Sequence, residues 1–129
     1  MSEDIQQALD LPPCDQVGFV VADLDAAMAL YKPLFGPFTT MEPGLMTFNY
    51  RGRQEDSEIK LAFWKSGDIE IELIEWVSGW TPHREFREAG REGMHHLRFI
   101  VDVLEDKVAE AEALGYKNII LQERSQLDL

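Results

Sequence analysis

Three side chains of different chemistry stand at matched places along this chain: Gln16, Glu72 and His96. Gln16 opens an alternating apolar run, Gln16-Val17-Gly18-Phe19-Val20-Val21, and His96 opens a second, His96-Leu97-Arg98-Phe99-Ile100-Val101. At the same offset Phe19 coincides with Phe99, Val21 with Val101, Leu24 with Leu104 and Ala29 with Ala109. The chain reads as two copies of one strand-helix unit. Strand periodicity puts Val17, Phe19 and Val21, and their counterparts, on the face toward a helix, which leaves Gln16 and His96 on the opposite face. Glu72 also faces away from the apolar side of its run, Ile69, Ile71 and Leu73. If the sheet curls into a cup with helices outside, all three point inward. A neutral imidazole, a carboxylate and an amide oxygen suit Zn²⁺, Ni²⁺, Co²⁺, Mn²⁺ or Fe²⁺. Such a cation polarises a carbonyl and stabilises the enolate left when an α-proton departs. Glu72 serves as a ligand or, if displaced, as the catalytic base.

Each residue alone has a plainer role: Gln16 a polar strand entry, Glu72 a solvent-facing carboxylate, His96 a satisfied core histidine. Their joint placement carries the functional reading. Arg98 shares the face of His96 and is expected to bind an anionic substrate group or to pair with Glu70 or Glu72. His95 is expected on the face opposite His96, supporting it or packing. His83 is expected to be exposed in a connector, and Trp64, Trp76 and Trp80 to line the core or a pocket. No phosphate loop, G-x-S-x-G elbow, H-E-x-x-H or zinc-knuckle spacing occurs.

The elements that must position these residues follow from pattern. Residues 1–13 read as a polar leader ending in Pro12-Pro13. A strand is predicted over 16–21, then a helix over 24–34 capped by Asp23 and ended by Gly36-Pro37. Pro43-Gly44 marks a turn, 46–51 a strand, 52–56 a loop, 59–64 a strand, Ser66-Gly67-Asp68 a hairpin and 69–76 a strand. Thr81 and Pro82 open a short helix ending near Gly90. A strand over 96–101 follows, then a helix from the capping box Asp102-x-x-Glu105 to about Leu114 with Gly115 as its C-cap, and a strand over 116–121. Residues 123–129 are polar and patternless. The expected fold class is α+β: paired βαβββ modules forming a curved mixed-sheet cup, the second module incomplete. Residues 14–129 form a single domain, with module one over 14–77, a connector over 78–92 and module two over 93–129.

The 129 residues fit one domain. A net charge of −12 argues against nucleic-acid and membrane surfaces as partners. Between Arg51 and Arg98 the balance is nearly neutral, ten acids to eight bases, which would admit an anionic small molecule. Cys14 is the single cysteine, so no internal disulfide forms. No signal peptide and no apolar run of about 20 residues is visible. A cytoplasmic protein is expected.

Gln16-Val-Gly-Phe-Val-Val-Ala-Asp-Leu-Asp25, Tyr31 with Leu34-Phe35-Gly36, Ile71-Glu-Leu-Ile-Glu75 and Gly93-Met-His-His-Leu97 together resemble the vicinal oxygen chelate superfamily. That superfamily includes glyoxalase I, methylmalonyl-CoA epimerase, extradiol dioxygenases and bleomycin-resistance proteins. The resemblance covers roughly residues 14 to 121. It implies a cup of paired modules, often completed in a homodimer, and a divalent metal held by Gln16, Glu72 and His96. Most members carry histidine where this chain has Gln16; some glyoxalase I enzymes carry glutamine. The pattern also calls for two further strands and a fourth ligand, usually Glu, which doubles as an acid/base group. No residue after Leu121 matches it, and Glu123 falls too early. The first expectation is therefore a metal-dependent glyoxalase- or epimerase-like lyase or isomerase. A metal-free small-molecule-binding protein of the resistance type is the alternative. An extradiol dioxygenase would want two histidines and a glutamate, and Gln16 speaks against it.

Overall fold

The computed structural model describes residues 4–42, 45–118 and 120–121. Five residues ahead of the first strand form a short helix, α1 (Ile5–Leu9), whose N-cap Asp4 accepts from the Gln7 amide. Strand β1 (Gln16–Val20) leads into helix α2 (Leu24–Phe35). Asp23 caps α2 by accepting from the Ala26 amide, as its sequence position predicts, and Gly36 closes it with φ +94°. Strands β2 (Thr39–Met41), β3 (Leu45–Tyr50), β4 (Arg53–Ser66) and β5 (Ile69–Gly79) complete the first module. Then come α3 (Pro82–Glu88), β6 (Gly93–Arg98), α4 (Leu104–Ala113) and β7 (Ile120–Leu121). The fold is α+β. One curved mixed sheet runs β6-β1-β5-β4-β3-β7, with β2 also paired to β4.

The two sheet faces bury different clusters, as alternation requires. On the α2 side, Val21, Leu24, Ala27, Ala62 and Leu73 pack with Phe19, Met28, Tyr31 and Phe38. On the other side, Val20, Ile59, Leu61 and Ile74 pack with Phe63 and with Phe86 from α3. The Leu24 amide at the start of α2 donates to Glu75, which ties the helix to β5 (2.8 Å). Gln16, Gly18 and Val20 share the second face with Glu70, Glu72 and Ile74, so the candidate site lies on the side that α3 covers.

Several expectations are corrected. Residues 53–56 are strand, not loop: Arg51 (φ +51°) and Gly52 (φ +83°) make a two-residue turn, and Tyr50 pairs with Arg53. Two left-handed residues match the twist of a hairpin, so polar flanks do not end the pairing. The strand expected over 96–101 runs Gly93–Arg98 instead, because its length is set by antiparallel pairing with β1, from Gln16↔Arg98 to Val20↔Gly93. Helix α4 starts one residue late for the expected capping box; Val103 is its N-cap and provides no side-chain hydrogen bond. Its C-cap is Leu114, with Gly115 next at φ +98°. Among the described residues α4 buries no side chain, and it lies against α1, where Lys107 donates to the Leu9 carbonyl. It therefore does not repeat α2, which rests on β4 and β5. The last strand pairs with β3, through Asn49↔Leu121 and Tyr50↔Ile120. The turn expected at Pro43-Gly44 and the tail over 123–129 lie outside the described residues.

Candidate functional site

Three neighbouring strands carry the candidate residues. β1 and β5 run parallel with Gln16↔Glu70 and Gly18↔Glu72 in register. β1 and β6 run antiparallel with Gln16↔Arg98 and Gly18↔His96. His96 thus sits mid-strand opposite Gly18 rather than at a strand start equivalent to that of Gln16. Convergence comes from strand registers, not from matched lead positions.

The structure brings Gln16, Glu72 and His96 together. His96 Nε2 lies 3.1 Å from Glu72 Oε1 and 3.3 Å from Gln16 Oε1. Gln16 is 4% exposed. Gly18 makes this possible: a Cβ there would stand 2.2 Å from His96 Cε1 and Nε2. The imidazole lies over the glycine backbone, and any side chain at 18 would evict it.

His95 does not take the opposite face. The pairing passes from Gly18↔His96 to Phe19↔Met94, so His95 is the extra residue of a β-bulge. Its Nδ1 lies 2.9 Å from His96 Nδ1, and its ring packs edge-on against Phe86 with centroids 4.9 Å apart. His83 is half-buried rather than exposed: α3 carries it to 5.2 Å from the His95 ring and 6.5 Å from that of His96. All three histidines of the chain therefore form one cluster. Burial, reinforced by the neighbouring histidines, pushes His83 down to about 4, so it is a neutral imidazole at neutral pH. Burial also lowers His95, with His96 acting in the same direction; the Pro82 carbonyl and Glu72 act in the opposite one.

Arg98 stands on the expected face but is occupied. It donates to both oxygens of Asp15, at 3.0 and 2.8 Å, and lies 3.8 Å from Glu70. That pair holds the Asp15 carboxyl below its ordinary range. An anionic substrate group would have to compete with Asp15 for this guanidinium. The tryptophans lie apart from these groups: Trp64 lies against Gly36, Trp76 Nε1 donates to the Gly79 carbonyl, and the exposed Trp80 ring is stacked by Arg84 at 3.6 Å.

The donors fit a divalent cation. Glu72 and Gln16 present acceptor oxygens to one nitrogen of His96. In the tautomer that leaves Nε2 unprotonated, one nitrogen and two oxygens turn lone pairs inward. The His95 contact accommodates this tautomer, since His96 Nδ1–H then donates to His95 Nδ1. Gly18, Glu70 and His83 are site residues that the sequence reading does not single out, whereas His95 is expected beside His96 and differs only in the face it takes. The glycine in an otherwise apolar run was a usable signal for close approach; the bulge had none.

A family model described as Glyoxalase/Bleomycin resistance protein/Dioxygenase superfamily matches residues 15–126. The chain is 24% identical over 110 residues to the uncharacterized protein YqjC of Bacillus subtilis (strain 168), spanning 85% of this chain and 70% of that protein. A hypothetical protein of Bacillus halodurans C-125 superposes with a TM-score of 0.55 at 24% identity, over 80% of this chain and 68% of that one. Streptomyces coelicolor methylmalonyl-CoA epimerase, solved with 2-nitronate-propionyl-CoA, superposes with a TM-score of 0.57 at 20% identity, over 83% and 72%.

Proposed function

Because the chain belongs to the glyoxalase/bleomycin resistance/dioxygenase superfamily, we propose that it is a metal-dependent lyase or isomerase of the glyoxalase or methylmalonyl-CoA epimerase type. The observation that carries this reading is the approach of His96 Nε2 to Glu72 Oε1 and Gln16 Oε1 within 3.3 Å. His96, Glu72 and Gln16 would hold a divalent cation (Zn, Ni, Co, Mn or Fe). A bound cation supplies polarisation of a substrate carbonyl, which acidifies the adjacent C–H. When not engaged as a ligand, Glu72 would take the α-proton. His95 fixes the His96 ring, and Phe86 with the apolar cluster beneath it limits water on that side. The substrate class is a small carbonyl compound carrying an anionic group.

Metal analysis of protein purified without chelator tests the reading. About one equivalent of transition metal is expected, lost in His96→Ala. No metal under any loading condition overturns it. The amide of Gln16 is a weaker donor than histidine, and this favours the second reading, a metal-free small-molecule-binding protein of the same fold.

A second copy of the chain is the expected partner. β6 is an edge of the sheet among the described residues, with Met94 62% and Leu97 49% exposed on it. An unpaired apolar edge is a surface proteins cover, and a homodimer would cover it.

A further inference from the structure

The proposed donor set leaves Glu70 without a role, yet Glu70 makes the shortest contact at the site. Gln16 Nε2 donates to Glu70 Oε1 at 2.6 Å. An ionised carboxylate has only acceptors to offer. The amide must therefore turn its NH₂ toward Glu70, and its carbonyl oxygen then faces the other way, toward His96. Register makes the contact unavoidable, since Gln16 and Glu70 are partners in the parallel β1–β5 pair and Glu72 follows two residues later on the same face. Glu70 is itself steadied. Arg98 lies 3.8 Å from it and is anchored by its two bonds to Asp15. Asp15 belongs to the same corner: its amide donates to the Arg98 carbonyl and its own carbonyl accepts from the Glu70 amide.

A glutamine is a cation ligand only one way round. Reversed, it points two N–H donors at the site. We propose that Glu70 is a positioning residue that selects the orientation of the Gln16 amide presenting Oε1 beside His96 and Glu72, with Arg98 and Asp15 holding the Glu70 carboxylate in place. The inference rests on the cation reading above. It also reassigns Arg98 from substrate contact to brace.

Two variants separate orientation from charge. Glu70→Gln keeps an acceptor oxygen for the Gln16 amide, whereas Glu70→Ala removes it; Glu70→Leu removes it while preserving side-chain volume, should the alanine variant not fold. Binding is followed by the visible absorption of added Co²⁺. Loss of a group that orients a ligand typically weakens binding about 10- to 100-fold, and this is the loss expected for Glu70→Ala and Glu70→Leu, with Glu70→Gln within about threefold of wild type. If Glu70→Gln falls as far as Glu70→Ala, Glu70 supplies charge and the proposal is overturned. The second readout needs no metal. The side-chain ¹⁵N–¹H pair of Gln16, assigned by its loss in Gln16→Leu, is expected to show one downfield, slowly exchanging proton in wild type and Glu70→Gln, and to lose it in Glu70→Ala. An amide signature that ignores Glu70→Ala overturns the orientation, whatever the Co²⁺ result. Wild-type protein that binds no Co²⁺ but keeps this signature overturns the cation reading instead, and with it the ligand role of the amide.

Discussion

At the scale of single residues, the site depends on what is absent as much as on what is present. Gly18 is the clearest case, because the His96 ring occupies the volume a side chain would fill. Gly18→Ala is expected to expel the ring and weaken Co²⁺ binding at least about tenfold, comparable to loss of an orienting partner; titration of the visible spectrum checks this. The half-buried histidines predict a pH dependence. With His83 lowered from 6.5 to about 4, the folded protein binds fewer protons than the unfolded chain between those values, so stability rises with pH across that window and is lost as pH falls. The slope from one such group is at most about 1.4 kcal/mol per pH unit. Denaturant midpoints of metal-free protein at pH 4.5 to 7 should climb, and His83→Gln should flatten the climb. The participation of Gln16, Glu72 and His96 was legible because residue type and strand phase are local properties. The side taken by His95 was not, because a bulge arises from pairing with β1 and leaves no local trace.

At the scale of elements, β1 holds the site together by touching both neighbours. It pairs parallel to β5 and antiparallel to β6, and it hands the chain to α2. That helix is held by the Leu24–Glu75 bond and by Leu73, which is 0% exposed beneath it. Burying such a leucine contributes about 1.5–3 kcal/mol. Leu73→Ala adds a cavity to that loss and is expected to destabilise by about 2–5 kcal/mol in chemical denaturation, while the opposite-face donors keep their chemistry. The turn at Arg51-Gly52 predicts a smaller effect. Gly52→Val places a branched side chain at φ +83° and should cost about 1–3 kcal/mol in the same measurement. The polar composition of 52–56 predicts a loop, but cross-strand pairing makes 53–56 part of β4. A long hairpin satisfies its backbone between its own strands even where its side chains, such as Thr47 donating to Asp56, meet water.

At the scale of the whole molecule, two strand-helix units share one sheet but differ in what they cover. The first has strands beneath its helix. The second, among the described residues, offers β6 beside β1 and leaves Ile100, Val103 and Leu104 exposed near the start of α4. No helix among those residues is long and apolar enough to cross a membrane. Exposed apolar residues on a sheet edge and along the following connection predict self-association. Light scattering should give the mass of two chains, and Met94→Glu with Leu97→Glu should shift it toward one. A wild-type protein that stays monomeric at high concentration rules out this assembly.

The sequence by itself named Gln16, Glu72 and His96 as candidates and set β1 and α2, since periodicity, caps and residue type act within short windows, and its motifs carried the resemblance to the family. Tertiary structure decided how the three side chains meet. Cross-strand register placed His96 over Gly18, the bulge gathered the histidines on one face, and the Gln16↔Glu70 pairing turned the amide. Gln16 lies 54 positions from Glu70 and 80 from His96, and a property of two distant strands cannot be read from either one.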